Sequence, residues 1–171
     1  RLVTVFRRSK KPIVHVVRIY RADGSNVDLC RKEGIEAGRP VVLAGSAGAE
    51  LVNALKPSAQ VTLDTQRLLL GTLQSLSDNE WVMYKPRWGA FYQTTLEAHL
   101  HTLHIDTVII CGCNFPNCPR ATIYEASERD FRLGFVSDAT SGVYDQGLQE
   151  LENIGVVLLT ADQVMNYVPA A

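Results

Sequence analysis

The stretch VIICGCNFPNCPRATIYEA, residues 108–126, reads as a strand, a tight turn and a helix that opens on a cysteine. The β-branched, apolar run Val108–Ile110 ends at Cys111-Gly112, and the turn spans Cys113 to Asn117. Cys118 follows, with Pro119 behind it as a helix-start signal. A thiol at that point faces the unpaired N–H groups of the helix, where the dipole favours thiolate over thiol. The turn lies at the carboxyl end of a strand, where open α/β sheets place their ligand sites. Cys111 and Cys113, in or beside the apolar strand, read as small buried hydrophobes. Cys118, preceded by polar and turn residues, fits that role less well, and from spacing alone both a buried cysteine and a nucleophile remain open.

Outward from this stretch, helices and strands alternate. Residues 2–9 end a helix, and the near-continuous apolar run Pro12–Tyr20 is a buried strand. Residues 22–48, rich in Gly, Asp, Asn and charge, read as an irregular excursion. Leu69, Leu70, Leu73 and Leu76 fall at helical spacing behind a capping Asp64, predicting a helix over 64–76. A strand at 81–84 and a helix at 91–103 follow, then strand 107–111, helix 118–129 and strand 132–137. Helix 144–153, strand 155–159 and helix 161–167 complete the chain. Strands separated by helices predict right-handed crossovers: an α/β protein of three α/β/α layers around a mainly parallel, Rossmann-like sheet.

At 171 residues, the expectation is a single domain over 1–171 with one sizeable core. A net charge of −1 leaves no electrostatic footprint for nucleic acid or a membrane surface. No apolar run approaches a membrane span, and no signal peptide is visible. Four cysteines, one of them in a reactive setting, suit a reducing compartment, so the expected location is cytoplasmic.

Three blocks carry a family resemblance. Gly112, Cys118, Thr122 and Ala126, followed by Gly134 and Val136-Ser137-Asp138-Ala139, resemble the signature of the isochorismatase-like cysteine hydrolases. Nicotinamidases, N-carbamoylsarcosine amidases and ureide hydrolases belong to that superfamily. Trp81 to Phe91, with Thr95-Leu96, resembles the family's lysine block: an apolar strand ending in Lys85-Pro86, then an aromatic turn. Gly45 to Leu51 is a weaker match.

The resemblance implies a hydrolase that cleaves a small-molecule amide, carbamoyl or ureide C–N bond through a thioester. Cys118 is then the nucleophile, and the backbone N–H groups of Asn114 and Cys118 form the oxyanion site behind a cis Cys113–Asn114 bond. Lys85 holds the thiolate and a carboxylate in an ionised network. Trp88, Phe91 and Tyr92 are either plain core aromatics or walls of a substrate pocket beside Lys85, and Phe115 is a further candidate wall. Arg120, in the first turn after the cysteine, is a candidate for a substrate carboxylate or carbonyl, or else an ordinary surface arginine. The implied assembly is a homo-oligomer, a dimer or tetramer, acting on a small molecule without a cofactor. In the family a strand ending in the triad aspartate comes first. This chain opens inside a helix, so that strand is expected upstream of Arg1 and no residue here is assigned to it.

No metal is expected. Cys111, Cys113 and Cys118 lack a fourth ligand at zinc-finger spacing. Glu97, His101 and His104 fall at i, i+4 and i+7, which reads as a solvated helical face. Metal-dependent nicotinamidases carry Asp-x-His where this chain has Tyr20 to Ser25, which argues against a nicotinamidase. Asn114, Phe115 and Pro119 also depart from the usual family residues and reshape the pocket. Two alternatives stand beside the amidase reading. One is a vinyl ether hydrolase of isochorismatase type, which needs an acid but no thiol. The other is a non-catalytic binding subunit on the same fold.

Overall fold

The computed structural model describes residues 1–39 and 41–168. Those residues form helices α1 (Leu2–Arg8), α2 (Leu29–Glu36), α3 (Thr65–Leu69), α4 (Leu96–Thr102), α5 (Cys118–Ser127), α6 (Asp145–Asn153) and α7 (Ala161–Tyr167). The strands are β1 (Ile13–Val17), β2 (Gln74–Ser77), β3 (Glu80–Tyr84), β4 (Thr107–Gly112), β5 (Arg132–Thr140) and β6 (Val157–Leu159). The expected α/β alternation is present, and the chain groups into two compact units.

Pro12–Arg87 with Gln93–Thr95 make one unit. Its sheet has the order β1-β3-β2. β1 runs parallel to β3, with Ile13 opposite Glu80 and Val17 opposite Tyr84. β2 runs antiparallel to β3. Ile19, Leu51, Leu63, Leu68 and Val82 form its core. This unit corrects two sequence expectations. The helix predicted over 64–76 stops at Leu69, because Gly71 adopts φ +83° and ends it. Leu73 and Leu76 therefore leave the helix, and Gln74–Ser77 turn back through Asp78-Asn79 as a hairpin strand against β3. The supposedly irregular 22–48 contains α2, which starts after Asp28 and gives way to Gly38 at φ +74°.

Arg1–Lys11, Trp88–Tyr92 and the chain from Leu96 onward make the other unit. Its sheet is β4-β5-β6, parallel throughout. α5 packs on β4 and β5, and α7 on β5. Phe115, Ile123, Phe135, Val136, Leu151 and Val164 are fully buried in this unit. β4 is an edge strand, and its ladder with β5 breaks between Ile110 and Gly112. Cys111 sits at that break, and Cys113 beyond it. Both are exposed rather than buried as their apolar neighbours suggested. α4 begins at Leu96, five residues later than expected, and ends at Thr102. His104 lies past its end with φ +54°, so Glu97, His101 and His104 share no helical face.

Candidate active site

Cys118 is the first residue of α5 and is half-buried. The turn before it is held by the end of β5. The Phe115 N–H donates to the Ser141 carbonyl at 2.8 Å, and the Ser141 N–H donates to the Gly112 carbonyl at 3.0 Å. The Cys113–Asn114 peptide is cis, as the resemblance implies. Among the described residues, the backbone N–H groups of Asn114 and Cys118 have no acceptor. Asn117 precedes the helix without capping it by its side chain. The turn therefore presents free donors beside a thiol, the chemistry that binds an anion or a carbonyl oxygen acquiring negative charge.

Two of the aromatic candidates are buried. Phe115 is wholly buried, its ring 5.0 Å from Phe135 and 5.4 Å from Tyr144. Gly147 leaves room for it, since a Cβ there would stand 2.5 Å from the Phe115 ring. Phe91 is buried with its ring centre 5.7 Å from that of Phe131 and 5.2 Å from the Arg129 guanidinium. Both rings are core, fixed by apolar neighbours that sequence spacing does not reveal. Tyr92 is 46% exposed.

Trp88 and Arg120 do come together. With Pro116, Asn117, Ala121 and Tyr124 they line an open cleft of about 350 Å³. Asn117 and Ala121 in this lining belong to the N-cap and first turn of α5, where Cys118 also sits. Arg120 donates to the Tyr144 hydroxyl and forms an ion pair with Glu150. Its guanidinium also lies 5.8 Å from the Tyr124 ring centre.

Lys85 follows β3 and is buried, at 4% exposure. Its backbone N–H extends the pairing with β1 by donating to the Val17 carbonyl at 3.0 Å. Its ammonium donates to the Arg87 carbonyl at 2.8 Å. A buried ammonium needs such acceptors, so this is not the solvated lysine of an ordinary strand end.

Sequence reasoning missed two polar groups in the β1–β3 unit. Asp28, nearly fully buried, accepts from the Tyr20 hydroxyl at 2.6 Å and pairs with Arg18. Burial opposes ionisation of Asp28, but the hydrogen bonds from Tyr20 and Arg18 and the charges of Arg18 and Arg87 outweigh it. They hold its carboxyl below the usual value. The same burial, with the bond to Asp28, pushes the Tyr20 hydroxyl up. In the same unit, His15 Nε2 and Glu80 Oε1 pair at 2.6 Å, with both side chains buried. The signal for the second was present as His15 inside and Glu80 beside apolar strand residues, whereas Asp28 lies in the polar 22–48 stretch.

Glu97 pairs with Arg129 at 3.0 Å, and the His101 ring stacks on Phe131. Among the described residues no group of three or more His, Cys, Asp or Glu could hold a metal ion. No helix among them is long and apolar enough to cross a membrane.

Comparison with known proteins places this geometry. A family model described as "Isochorismatase domain" matches residues 1–163. A protein of Arabidopsis thaliana named "Probable inactive nicotinamidase At3g16190" is 26% identical over 162 residues, 91% of this chain and 74% of that relative. The ureidoacrylate amidohydrolase RutB of Methylorubrum extorquens is 32% identical over 130 residues, 70% of this chain. The match spans about half (51%) of that relative's length. Among solved structures, a protein of this family from Desulfovibrio vulgaris superposes with a TM-score of 0.78 at 26% identity, covering 97% of this chain and 83% of that one.

Proposed function

The chain belongs to the isochorismatase family, and on that premise we propose that it hydrolyses a small-molecule C–N bond of amide, carbamoyl or ureide type. What supports this reading most is Cys118 at the first position of α5, in a turn where the Asn114 and Cys118 N–H groups have no acceptor among the described residues. The name of the RutB relative, an amidohydrolase, supports the substrate class.

Amide carbonyls are poor electrophiles and amines poor leaving groups, so the reaction needs a nucleophile, an oxyanion site and a proton carrier. In the proposed sequence the Cys118 thiolate attacks the carbonyl carbon, and the developing oxyanion is held by the Asn114 and Cys118 N–H groups. The C–N bond breaks as the nitrogen takes a proton and departs as ammonia or an amine. A thioester on Cys118 remains. Water then adds to it, releasing the acid and restoring the thiol. By the resemblance, Lys85 supplies the cation of this chemistry and a carboxylate carries the proton. The protein works as a soluble homo-oligomer in the cytoplasm, with no cofactor.

A non-catalytic role has one specific observation in its favour, the name of the Arabidopsis relative, which calls that protein inactive. The test separates the two. The protein is offered ureidoacrylate, N-carbamoylsarcosine, maleamate and nicotinamide, and ammonia release is followed for the parent and for Cys118→Ser. Release by the parent that the variant abolishes supports the hydrolase. Absence of release from the parent supports the non-catalytic reading, and equal release by both removes Cys118 from the mechanism.

A further inference from the structure

Cys118, Thr122 and Glu125 fall at i, i+4 and i+7, on one face of α5. The Thr122 and Glu125 side chains on that face meet the backbone of Gly89, Ala90 and Phe91. The Thr122 hydroxyl donates to the Cys118 carbonyl at 2.8 Å and accepts from the Ala90 N–H at 3.1 Å. A hydroxyl has one proton to give and lone pairs to receive, so both bonds form together. One turn on, the Glu125 carboxylate accepts from the Phe91 N–H at 2.8 Å. That carboxylate lies where a side chain of residue 89 would start. A Cβ on Gly89 would stand 2.0 Å from Glu125 Oε2. Arg129 closes the arrangement by donating to the Glu125 carbonyl at 2.7 Å while it pairs with Glu97.

We propose that Thr122 is a positioning residue for Cys118, holding the first turn of α5 against the Gly89–Phe91 segment, with Glu125 and Gly89 completing the clamp. Three consecutive backbone residues are seized by two side chains of the helix that Cys118 begins. Ordinary helix packing needs only apolar contact, whereas here one hydroxyl spends both of its bonding directions on the backbone of Cys118 and Ala90. The first turn of a helix is where fraying would otherwise misdirect the N–H groups that face the thiol. The proposal rests on the reading of Cys118 as the nucleophile.

Thiol reactivity tests it without a known substrate. Intact protein is treated with sub-stoichiometric iodoacetamide at neutral pH, and the rates at Cys118 and Cys30 are read by peptide mass mapping. Thr122→Val keeps the shape and removes both hydrogen bonds, and Cys118 alkylation is expected to slow about five-fold, the effect of roughly one lost hydrogen bond. Thr122→Ser restores the hydroxyl and is expected to return the parental rate. Gly89→Ala drives a methyl into the Glu125 carboxylate, parting the segment from α5 while leaving Thr122 in place, and slows Cys118 alike. Cys30, exposed in the other unit, serves as the internal control and keeps its rate throughout. Parental Cys118 rates in both Thr122→Val and Gly89→Ala overturn the proposal, as does an equal change at Cys30. The underlying reading is judged in the parent alone: it fails there if Cys30 is alkylated ahead of Cys118.

Discussion

Gly142 passes so close to Asn114 that a β-carbon at position 142 would stand 2.6 Å from Asn114 Oδ1. The same residue adopts φ +70°, a conformation that side-chain-bearing residues rarely take. The end of β5 thus cradles the turn that leads to Cys118. Gly142→Ala is expected to cost about 1–3 kcal/mol, from positive φ and the collision together. A urea midpoint shifted by less than the error of the measurement contradicts this close approach.

Phe115 is expected to act on stability through packing alone. It is wholly buried between Phe135, Tyr144 and the bare face of Gly147. Phe115→Ala should cost about 3–5 kcal/mol, and Phe115→Leu clearly less, since less volume is lost. Denaturant unfolding of both variants checks the order. Equal costs would count against a tightly packed ring.

The His15–Glu80 pair predicts a non-additive cycle. Glu80→Leu alone leaves a buried imidazole without this partner and should cost about 1–3 kcal/mol. Replacing both residues by leucine should cost less than the sum of the two single changes, because no polar group is then stranded. Additive costs in denaturant unfolding would mean that the two side chains do not interact.

Asp28 predicts a loss of stability in acid. Its carboxyl titrates lower in the folded chain than in the unfolded one, where it titrates near the ordinary value of about 3.9. The folded state therefore binds its proton less readily. The stabilisation is complete above that ordinary value and is lost as pH falls through the lower, folded value. Thermal midpoints taken from pH 7 down to pH 3 should fall less steeply in Asp28→Asn than in the parent. Parallel curves would show that Asp28 has no favoured charged state.

Cys118 and its helix were legible because local chemistry punctuates them: an apolar run, a turn, a proline at the helix start. Lys85-Pro86 was legible for the same reason, as a strand end. The β2 strand was not, since Leu73 and Leu76 continue a helical period and only Gly71 and Asp78-Asn79 interrupt it. α2 was hidden by its polarity, because a helix with no buried residue leaves no periodic stripe to read. The roles of Phe91 and Phe115 depended on partners far along the chain, Phe131 and Phe135, which no local pattern names. Asp28 was invisible for a related reason: its partners Tyr20 and Arg18 sit on the chain leaving β1, and only the fold brings them to it.

The thioester is the most direct test of the central claim. A substrate found by ammonia release is mixed with excess protein, the reaction is quenched in acid within one turnover, and peptides are mapped by mass. An acyl adduct on the Cys118 peptide, absent from Cys118→Ala along with the activity, is the expected result. Ammonia release that persists in Cys118→Ala, with no adduct on the Cys118 peptide of the parent, would contradict it.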